Sequence, residues 1–309
     1  MFIADAHCDA LWKMQNMKHY SFYGTSPLRV NAESLKRGRV RIQNFALFTS
    51  VEDPIKTQKE KLDKEINLFK KYIAGNNYIK WTPWKPIRFS PNHTHAILSL
   101  EGAGMIGDDL NEWRKLKEIG VEMASLSWNE KNDLAAGSLQ SNKNGLTKAG
   151  KKVVAWQNDN GMVTDAAHLN ERSFWDVLEH GKHIAVSHAN VKALYDHPRN
   201  LSNQQIEALI KQHSFIGLTF YPKFINGTDT ADYTDFAKQV DYLCSKGAEN
   251  IIGFGSDFDG IDTSIQGLES PVQFPRFIDW LLTHFDEKII RGLAGENFKR
   301  FWEKKRLVQ

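Results

Sequence analysis

Short apolar segments alternate with longer amphipathic ones along the whole chain, and this alternation constrains the fold more than any other feature. Six helical patterns have apolar residues at intervals of three and four. They cover 56–72, 110–119, 146–159, 171–179, 202–212 and 234–246. Eight apolar segments that read as strands cover 2–6, 40–48, 96–100, 121–127, 162–164, 184–187, 215–219 and 251–255.

Strands that alternate with helices favour a parallel sheet, and eight repeats predict an α/β fold in which the sheet closes into a (β/α)8 TIM barrel. A doubly wound open sheet is the alternative. It is weakened because no glycine-rich phosphate-binding turn follows the first strand.

Residues 76–92 are expected to form an ordered aromatic loop. No linker rich in Gly, Ser or Pro divides the 309 residues, so we expect a single domain over residues 1–309.

Composition excludes several classes of protein. Hydrophobic residues make up 41% and charged residues 25% of the chain, so it is neither disordered nor fibrous. The 40 basic and 37 acidic residues give a net charge of +3, which offers no sign of a nucleic-acid partner. No apolar run approaches the ~18 residues of a membrane span. Two cysteines and the absence of a signal-peptide pattern favour a cytoplasmic protein.

Polar side chains follow the apolar segments at the ends where a parallel barrel has its active site. His7 and Asp9 follow the first segment, and their spacing directs both side chains to one side of an extended backbone. Glu101 follows the third segment, His168 the fifth and His188 the sixth. Taken singly, each is better explained as an ordinary polar residue at a strand end or in a loop. Their coincidence at successive strand ends favours a metal centre.

The combined ligand set contains nitrogen and oxygen donors and no cysteine cluster, which suits two divalent ions that share one carboxylate. Asp257 follows the eighth segment, where a carboxylate can accept a proton from water and return it to a leaving amine. A turn or helix cap is the alternative, and it suits Asp259 better. Arg199 lies on a loop where its guanidinium can hold a carboxylate. Without the metal centre, an ordinary surface arginine is the better explanation.

These motifs in combination resemble the membrane (renal) dipeptidase family of zinc metallopeptidases, and the resemblance extends from residue 5 to residue 302. It implies a (β/α)8 barrel of the metal-dependent amidohydrolase type. It also implies hydrolysis of dipeptides, with a D-residue tolerated at the C-terminal position. The matching segments are Asp-Ala-His-Cys-Asp (5–9), Glu-Gly (101–102), Asp-Ala-Ala-His (165–168), Ser-His-Ala-Asn (187–190), His-Pro-Arg-Asn (197–200) and Gly-Ser-Asp-Phe-Asp-Gly (255–260), with 145–150 and 294–302 also similar.

The resemblance assigns the metal ligands residue by residue, and the expected cofactors are two divalent ions, zinc in each case. His7 and Asp9 bind one ion. His168 and His188 bind the other. Glu101 bridges the two.

The same resemblance assigns roles around the metals. Asp257 matches the acid–base carboxylate, Arg199 matches the arginine that binds the substrate carboxylate, and Tyr221 lies near the substrate. Trp128 is a departure, because many family members have at this place a histidine that contacts the substrate and the developing oxyanion. Asn129 or a metal ion is then the alternative donor to the oxyanion.

The expected partner is a small dipeptide substrate. No membrane anchor is expected, because only seven residues follow Trp302. The oligomeric state is open, with a homodimer among the options. Two other functions remain: another amidohydrolase-type C–N hydrolase, such as a deaminase or cyclic-amide hydrolase, and a catalytically weakened relative, which Trp128 suggests. Arg199 argues against the first, since a substrate without a carboxylate does not need it. The full ligand set argues against the second.

Overall fold

A computed structural model describes residues 1–18, 21–24 and 26–306, and its parallel strands close into a barrel. Hydrogen-bonded neighbours follow the order β2-β1-β9-β8-β7-β6-β5-β4, and the pairing of β2 with β4 completes the ring. The short β3 pairs with the start of β4 outside this ring. The predicted (β/α)8 barrel is therefore confirmed. The strands are β1 (Ile3–Asp5), β2 (Val40–Phe48), β3 (Ile79–Lys80), β4 (Thr94–Glu101), β5 (Val121–Ser125), β6 (Val163–Asp165), β7 (Ile184–Ala189), β8 (Phe215–Leu218) and β9 (Ile252–Phe254).

Helices connect the strands, and each of the six predicted helices forms with its ends shifted by a few residues. Wider turns of π-helix cover Phe69–Ala74 and Gly292–Glu296, and a 3-10 turn covers Pro271–Gln273. The helices are α1 (Ala10–Gln15), α2 (Ala32–Arg37), α3 (Ile55–Leu68), α4 (Leu110–Ile119), α5 (Lys148–Asp159), α6 (Glu171–His180), α7 (Asn203–Lys211), α8 (Pro222–Ile225), α9 (Tyr233–Ser245), α10 (Phe274–Leu281), α11 (Glu287–Arg291) and α12 (Asn297–Arg306).

Capping side chains fix where several helices begin, and thereby where the loops above the strands end. Ser202 caps α7, because its hydroxyl accepts from the backbone of Gln205 while the Gln205 side chain accepts from Ser202 N. The side chains of Thr147 and Asn170 cap α5 and α6 by accepting from the backbone N–H groups of Gly150 and Ser173. The loop that carries Arg199 is therefore anchored at its C-terminal end by the Ser202 cap.

Aromatic residues of α12 close the end of the barrel at which the strands begin. Phe298 and Trp302 are buried in a cluster with side chains from the barrel interior, and the Phe298 ring lies 4.7 Å from that of Phe215. Lys305 places its ammonium group 4.2 Å from the centre of the Trp302 ring. The opposite end of the barrel, at which the strands finish, carries the polar residues singled out above.

Two glycines allow β7, β8 and the end of β9 to approach closely below those polar residues. A methyl group on Gly217 would lie 2.0 Å from the carbonyl oxygen of Ser187, and one on Gly255 would lie 1.9 Å from the same atom. Both distances are far below van der Waals contact. The backbone beside His188 therefore requires glycine at both positions.

We predict that Gly217→Ala destabilises the fold, because the added methyl group overpacks the barrel wall. The free energy of unfolding should fall by about 1–3 kcal/mol, measured by urea denaturation. Gln204→Ala, on the exposed face of α7, serves as the control and should change the stability by less than about 0.5 kcal/mol. Equal stability of the two variants would contradict this account of the wall.

Candidate metal centre and active site

The predicted ligands and the predicted acid–base residue converge at the carboxyl ends of the strands. Glu101 is the last residue of β4, His188 lies within β7, and the others lie a few residues beyond the ends of β1, β6 and β9. The ligands are at most 7% exposed, and the side chain of Asp257 is 13% exposed. The structure therefore brings together His7, Asp9, Glu101, His168, His188 and Asp257.

Glu101 lies between two sets of imidazoles: one group is formed by His168 and His188, and the other is His7 alone. Its two carboxylate oxygens face different sets. Oε1 lies 2.7 Å from Nε2 of His168 and 3.6 Å from Nε2 of His188. Oε2 lies 3.5 Å from Nε2 of His7. The same Nε2 of His7 lies 3.3 Å from Oδ2 of Asp9. This is the arrangement expected of a carboxylate that serves two neighbouring cation sites.

Hydrogen bonds to Nδ1 orient the two histidines of one group. Nδ1 of His168 donates to Oδ1 of Asn129 at 2.9 Å, and this oxygen also accepts from the hydroxyl of Ser138. Because an amide oxygen only accepts, the proton of neutral His168 is on Nδ1 and its Nε2 carries a lone pair. Nδ1 of His188 is 2.8 Å from the hydroxyl of Ser187. Both rings thus present Nε2 toward the centre.

The contacts inside the centre fit a bound cation. Nε2 of His168 and Nε2 of His188 are 2.8 Å apart. The lone pair on Nε2 of His168 also faces the carboxylate of Glu101, whose Oε1 is 2.7 Å away. Oδ1 of Asp9 is buried and has no hydrogen-bond partner within the described residues. Converging lone pairs and a buried carboxylate oxygen without a donor are costly, and a divalent ion satisfies both. Nitrogen and oxygen donors of this kind suit zinc-like ions.

Electrostatic interactions shift the pKa values of several of these groups. Burial raises the pKa of Glu101 to about 8, although the positive charge of His7 opposes the shift. Burial by itself lowers the pKa of His7, but the neighbouring carboxylates, led by Asp9, outweigh it and raise the pKa to about 10. Burial, reinforced by the charge of Asp9, raises the pKa of Asp257 well above its usual range. Three carboxyl groups thus lie close to His7.

The other two imidazoles are held neutral. Burial, together with the positive charges of Arg199 and His7, lowers the pKa values of His168 and His188 well below the usual range. Neutral imidazole is the form that ligates metal ions. Burial also lowers the pKa of Arg199, to about 10, while the carboxylates of the centre oppose this shift.

Asp5 connects the ends of β1 and β9. In the sequence it could be identified only as part of a motif, and no role was assigned to it. Its buried carboxylate accepts from Ser256 N at 2.8 Å, from the Ser256 hydroxyl at 2.6 Å and from Gln43 Nε2 at 3.1 Å. These bonds hold the segment between β9 and Asp257 against the segment that leads to His7. Its signal in the sequence is a carboxylate placed directly at the end of an apolar strand.

The loop after β9 is also tied to distant segments. Asp259 accepts from the backbone N–H groups of Arg29 and Val30, each at 2.9 Å, and from Lys13 Nζ at 3.0 Å. The backbone does turn at Asp259, as expected, but its side chain makes these long-range bonds and does not cap the local backbone. A methyl group on Gly260 would lie 2.1 Å from Oδ2 of Asp9, so glycine is needed for the loop to approach this carboxylate.

A cavity of about 750 Å³ opens above these residues. Arg199, Tyr221 and Phe224 line one side, and Trp128 and Asn129 line the other. Arg199 is 5% exposed. Its Nη2 lies 3.0 Å from Nε2 of His168, and its guanidinium carbon lies 5.4 Å from the centre of the Phe224 ring.

A second cavity of about 470 Å³ shares His168 and Arg199 but none of the other predicted ligands. The larger cavity is therefore the one that gives access to the whole ligand set.

A barrel with candidate metal ligands clustered at the ends of its strands is typical of metal-dependent hydrolases of the amidohydrolase type. The model of the membrane dipeptidase family, peptidase family M19, matches residues 1–309. The chain belongs to this family. Among the helices of the described residues, none has the length and apolar character needed to cross a membrane.

Individual relatives agree with this assignment. A dipeptidase of Schizosaccharomyces pombe is 27% identical over 297 residues, a match that covers 89% of this chain and 71% of the relative. Dipeptidase aclJ of Aspergillus oryzae is 30% identical over 221 residues, covering 68% of this chain and 51% of the relative. The chain thus spans about half the length of the second relative.

A solved structure shows the same fold. It is a metallopeptidase of Rhodobacter sphaeroides, liganded with a phosphinate mimic of the dipeptide L-Ala-D-Ala. It matches with a TM-score of 0.88 at 22% identity, over 99% of this chain and 99% of that chain.

We predict that Asn129→Leu weakens divalent metal binding, because it removes the acceptor that orients His168. Loss of such an outer hydrogen bond typically lowers metal affinity about 10- to 100-fold. Competition between the protein and a chromogenic chelator for Zn²⁺ measures the change. Ser138→Ala leaves the Asn129 acceptor in place and should have a much smaller effect. Unchanged affinity in Asn129→Leu would show that His168 is oriented by other contacts.

Proposed function

We propose that the chain is a binuclear, zinc-dependent dipeptidase that hydrolyses the peptide bond of dipeptides, including those with a D-residue at the C-terminal position. The observation that carries this proposal is the convergence of imidazole and carboxylate groups around Glu101 beside a buried guanidinium. Family membership supports it. The ligand of the Rhodobacter sphaeroides structure, a mimic of L-Ala-D-Ala, supports the stereochemistry.

The chain offers one set of ligands to each of two ions. His7 and Asp9 would hold one ion, and His168 and His188 the other. Glu101 would give one oxygen to each, as the positions of Oε1 and Oε2 suggest. When bound, divalent ions of this kind lower the pKa of water and polarise a carbonyl oxygen.

Asp257 moves the proton in this scheme. Its Oδ1 lies 3.9 Å from Nε2 of His7, and its carboxyl group reaches the cavity. At this place it can take a proton from the attacking water and deliver it to the nitrogen of the leaving amine. The backbone of Asp257 has a φ of 64°, a left-handed conformation that is unfavourable for a non-glycine residue and that directs the carboxyl group into the site.

Arg199 binds the C-terminal carboxylate of the substrate. Its guanidinium is buried in the cavity wall, and its Nε has no hydrogen-bond partner within the described residues. A guanidinium can hold a carboxylate through two parallel hydrogen bonds. Tyr221 lies beside Phe224 on the same wall, with ring centres 4.9 Å apart, and completes this end of the substrate site. A direct contact between Asn129 and the substrate stays a prediction, since its carbonyl oxygen already holds His168.

We expect Asp257→Asn to lose most turnover and to keep its metal ions. An acid–base group typically contributes about 10²- to 10⁴-fold to the rate. The measurements are kcat for dipeptide hydrolysis and elemental analysis, with about two ions per chain expected from the ligand set. His188→Ala is the comparison and should lose metal. A near-native rate in Asp257→Asn would show that another residue carries the proton. Loss of metal in this variant would show that Asp257 is a metal ligand.

We also expect Arg199 to restrict the substrate to dipeptides with a free carboxylate. Amidation of a dipeptide should lower kcat/KM severely for the native enzyme, because charge-assisted hydrogen bonds worth about 1.5–3 kcal/mol are lost. It should affect Arg199→Ala much less, and Arg199→Lys should recover only part of the activity. The assay compares free and amidated L,L- and L,D-dipeptides. An equal penalty in native enzyme and Arg199→Ala would remove the specificity argument for a dipeptidase.

A further inference from the structure

The topology of the barrel divides the cavity into two halves. Around the closed ring, β2 lies opposite β7, and β4 lies opposite β8. Arg199 follows β7, and Tyr221 and Phe224 follow β8. In the proposed function this half binds the C-terminal carboxylate. In that function the scissile carbonyl would lie above Glu101, and the N-terminal residue of the substrate would extend into the other half, above β1, β2 and β5.

Three aromatic side chains, which we call the aromatic wall, line that other half: Trp12 in α1, Phe48 at the end of β2, and Trp128 after β5. The ring centres of Trp12 and Phe48 are 6.3 Å apart, and those of Phe48 and Trp128 are 5.3 Å apart. Trp128 also stacks on His168 at 5.8 Å. The aromatic wall is therefore continuous and ends beside the metal centre.

The rings of the aromatic wall remain partly exposed toward the cavity, in contrast to the fully buried Phe45 on the same strand as Phe48. Apolar surface that faces water in a cavity becomes favourable when a ligand covers it. Aromatic rings in particular offer large, flat contact areas to an apolar side chain.

A buried carboxylate holds the aromatic wall in place. Glu65 in α3 is 0% exposed. Its Oε2 accepts from the backbone N–H of Phe48 at 2.8 Å, and its Oε1 lies 2.5 Å from Nε2 of Gln15. Gln15 lies in α1, the same helix as Trp12. Two members of the wall are thus fixed to one another before substrate arrives, which lowers the ordering cost of binding.

The charged residues at this half are acidic. Glu52 and Glu130 line the cavity here, and Arg199, on the other half, is the one lysine or arginine among the described residues that line it. An acidic side chain placed against the aromatic wall would meet these carboxylates, and no lysine or arginine among the described residues lines this half to offset the repulsion.

We propose that the aromatic wall binds the side chain of the N-terminal residue, so that the enzyme selects dipeptides whose N-terminal residue is large and apolar over those with a small or acidic one. This inference rests on the proposed dipeptidase function. Because the side chain is held in both the ground state and the transition state, the selection acts mainly on KM.

The test compares kcat/KM of the metal-loaded enzyme for Gly-Ala, Leu-Ala, Phe-Ala and Glu-Ala. Leu-Ala and Phe-Ala should exceed Gly-Ala by about 10- to 100-fold, and Glu-Ala should fall below both. Phe48→Ala should reduce the ratio of Phe-Ala to Gly-Ala several-fold through KM, and Phe48→Leu should restore most of it. Phe89→Ala is the matched control, since Phe89 is an exposed phenylalanine that contacts Phe2 at the opposite end of the barrel.

Each outcome decides the inference. A flat series of N-terminal residues, or a preference for Gly-Ala or Glu-Ala, overturns it. Equal specificity ratios in Phe48→Ala and Phe89→Ala also overturn it. Both of these results leave the dipeptidase function standing, because the dipeptides are still cleaved. Failure of the enzyme with both ions bound to cleave any dipeptide overturns the proposed function, and the inference with it.

Discussion

The buried carboxylate of Glu101, placed between imidazoles from different strands, is the interaction on which the rest of the site depends. Carboxylates removed from water cost several kcal/mol each unless a cation compensates them. Here Glu101 shares its surroundings with Asp9 and Asp257, and His7 is the imidazole that these carboxylates draw toward the charged state. A ligand that binds only the folded chain adds to its stability, so a metal bound at this cluster would stabilise the fold as well as serve catalysis.

The barrel separates this charged end from an apolar one. Phe298 and Trp302 close the end at which the strands begin, and the ligands occupy the end at which they finish. Asp5 lies at the boundary, fully buried, and has hydrogen bonds from β2 and from the segment after β9. A buried carboxylate that is satisfied in this way adds rigidity, whereas the unsatisfied Oδ1 of Asp9 marks the place at which a ligand is required.

Periodicity predicted the barrel and its main helices, because apolar spacing reports which residues are buried. It missed short elements such as α1, α2 and β3, which have too few residues to show a period and depend on tertiary contacts. The segment 76–92, expected to be an aromatic loop, contains β3, and its Trp81 and Trp84 pack on the core.

Strand ends could be located from the sequence, so the candidate metal ligands that cluster there could be located as well. The aromatic wall could not, because it depends on which strands face each other across the closed ring. Phe48 was interpreted as one more apolar residue of β2, and Trp12 lay in a helix with no visible period. Glu65, seen in the sequence, was one acidic residue on a charged helix, and its burial comes from the packing of α3 against α1.

Trp128 suggested a relative with weakened catalysis, and the geometry of the centre bears on that alternative. Its ring packs against Phe48 and His168, so it supplies apolar surface where a histidine would supply a hydrogen bond. Meanwhile His168 and Asp257 keep positive φ values of 67° and 64°, conformations that cost about 1–3 kcal/mol each. Without a bound cation, these backbone conformations and the buried carboxylates would only destabilise the fold. We therefore attribute to Trp128 a change in which substrate is held, while the candidate catalytic groups around Glu101 keep their arrangement.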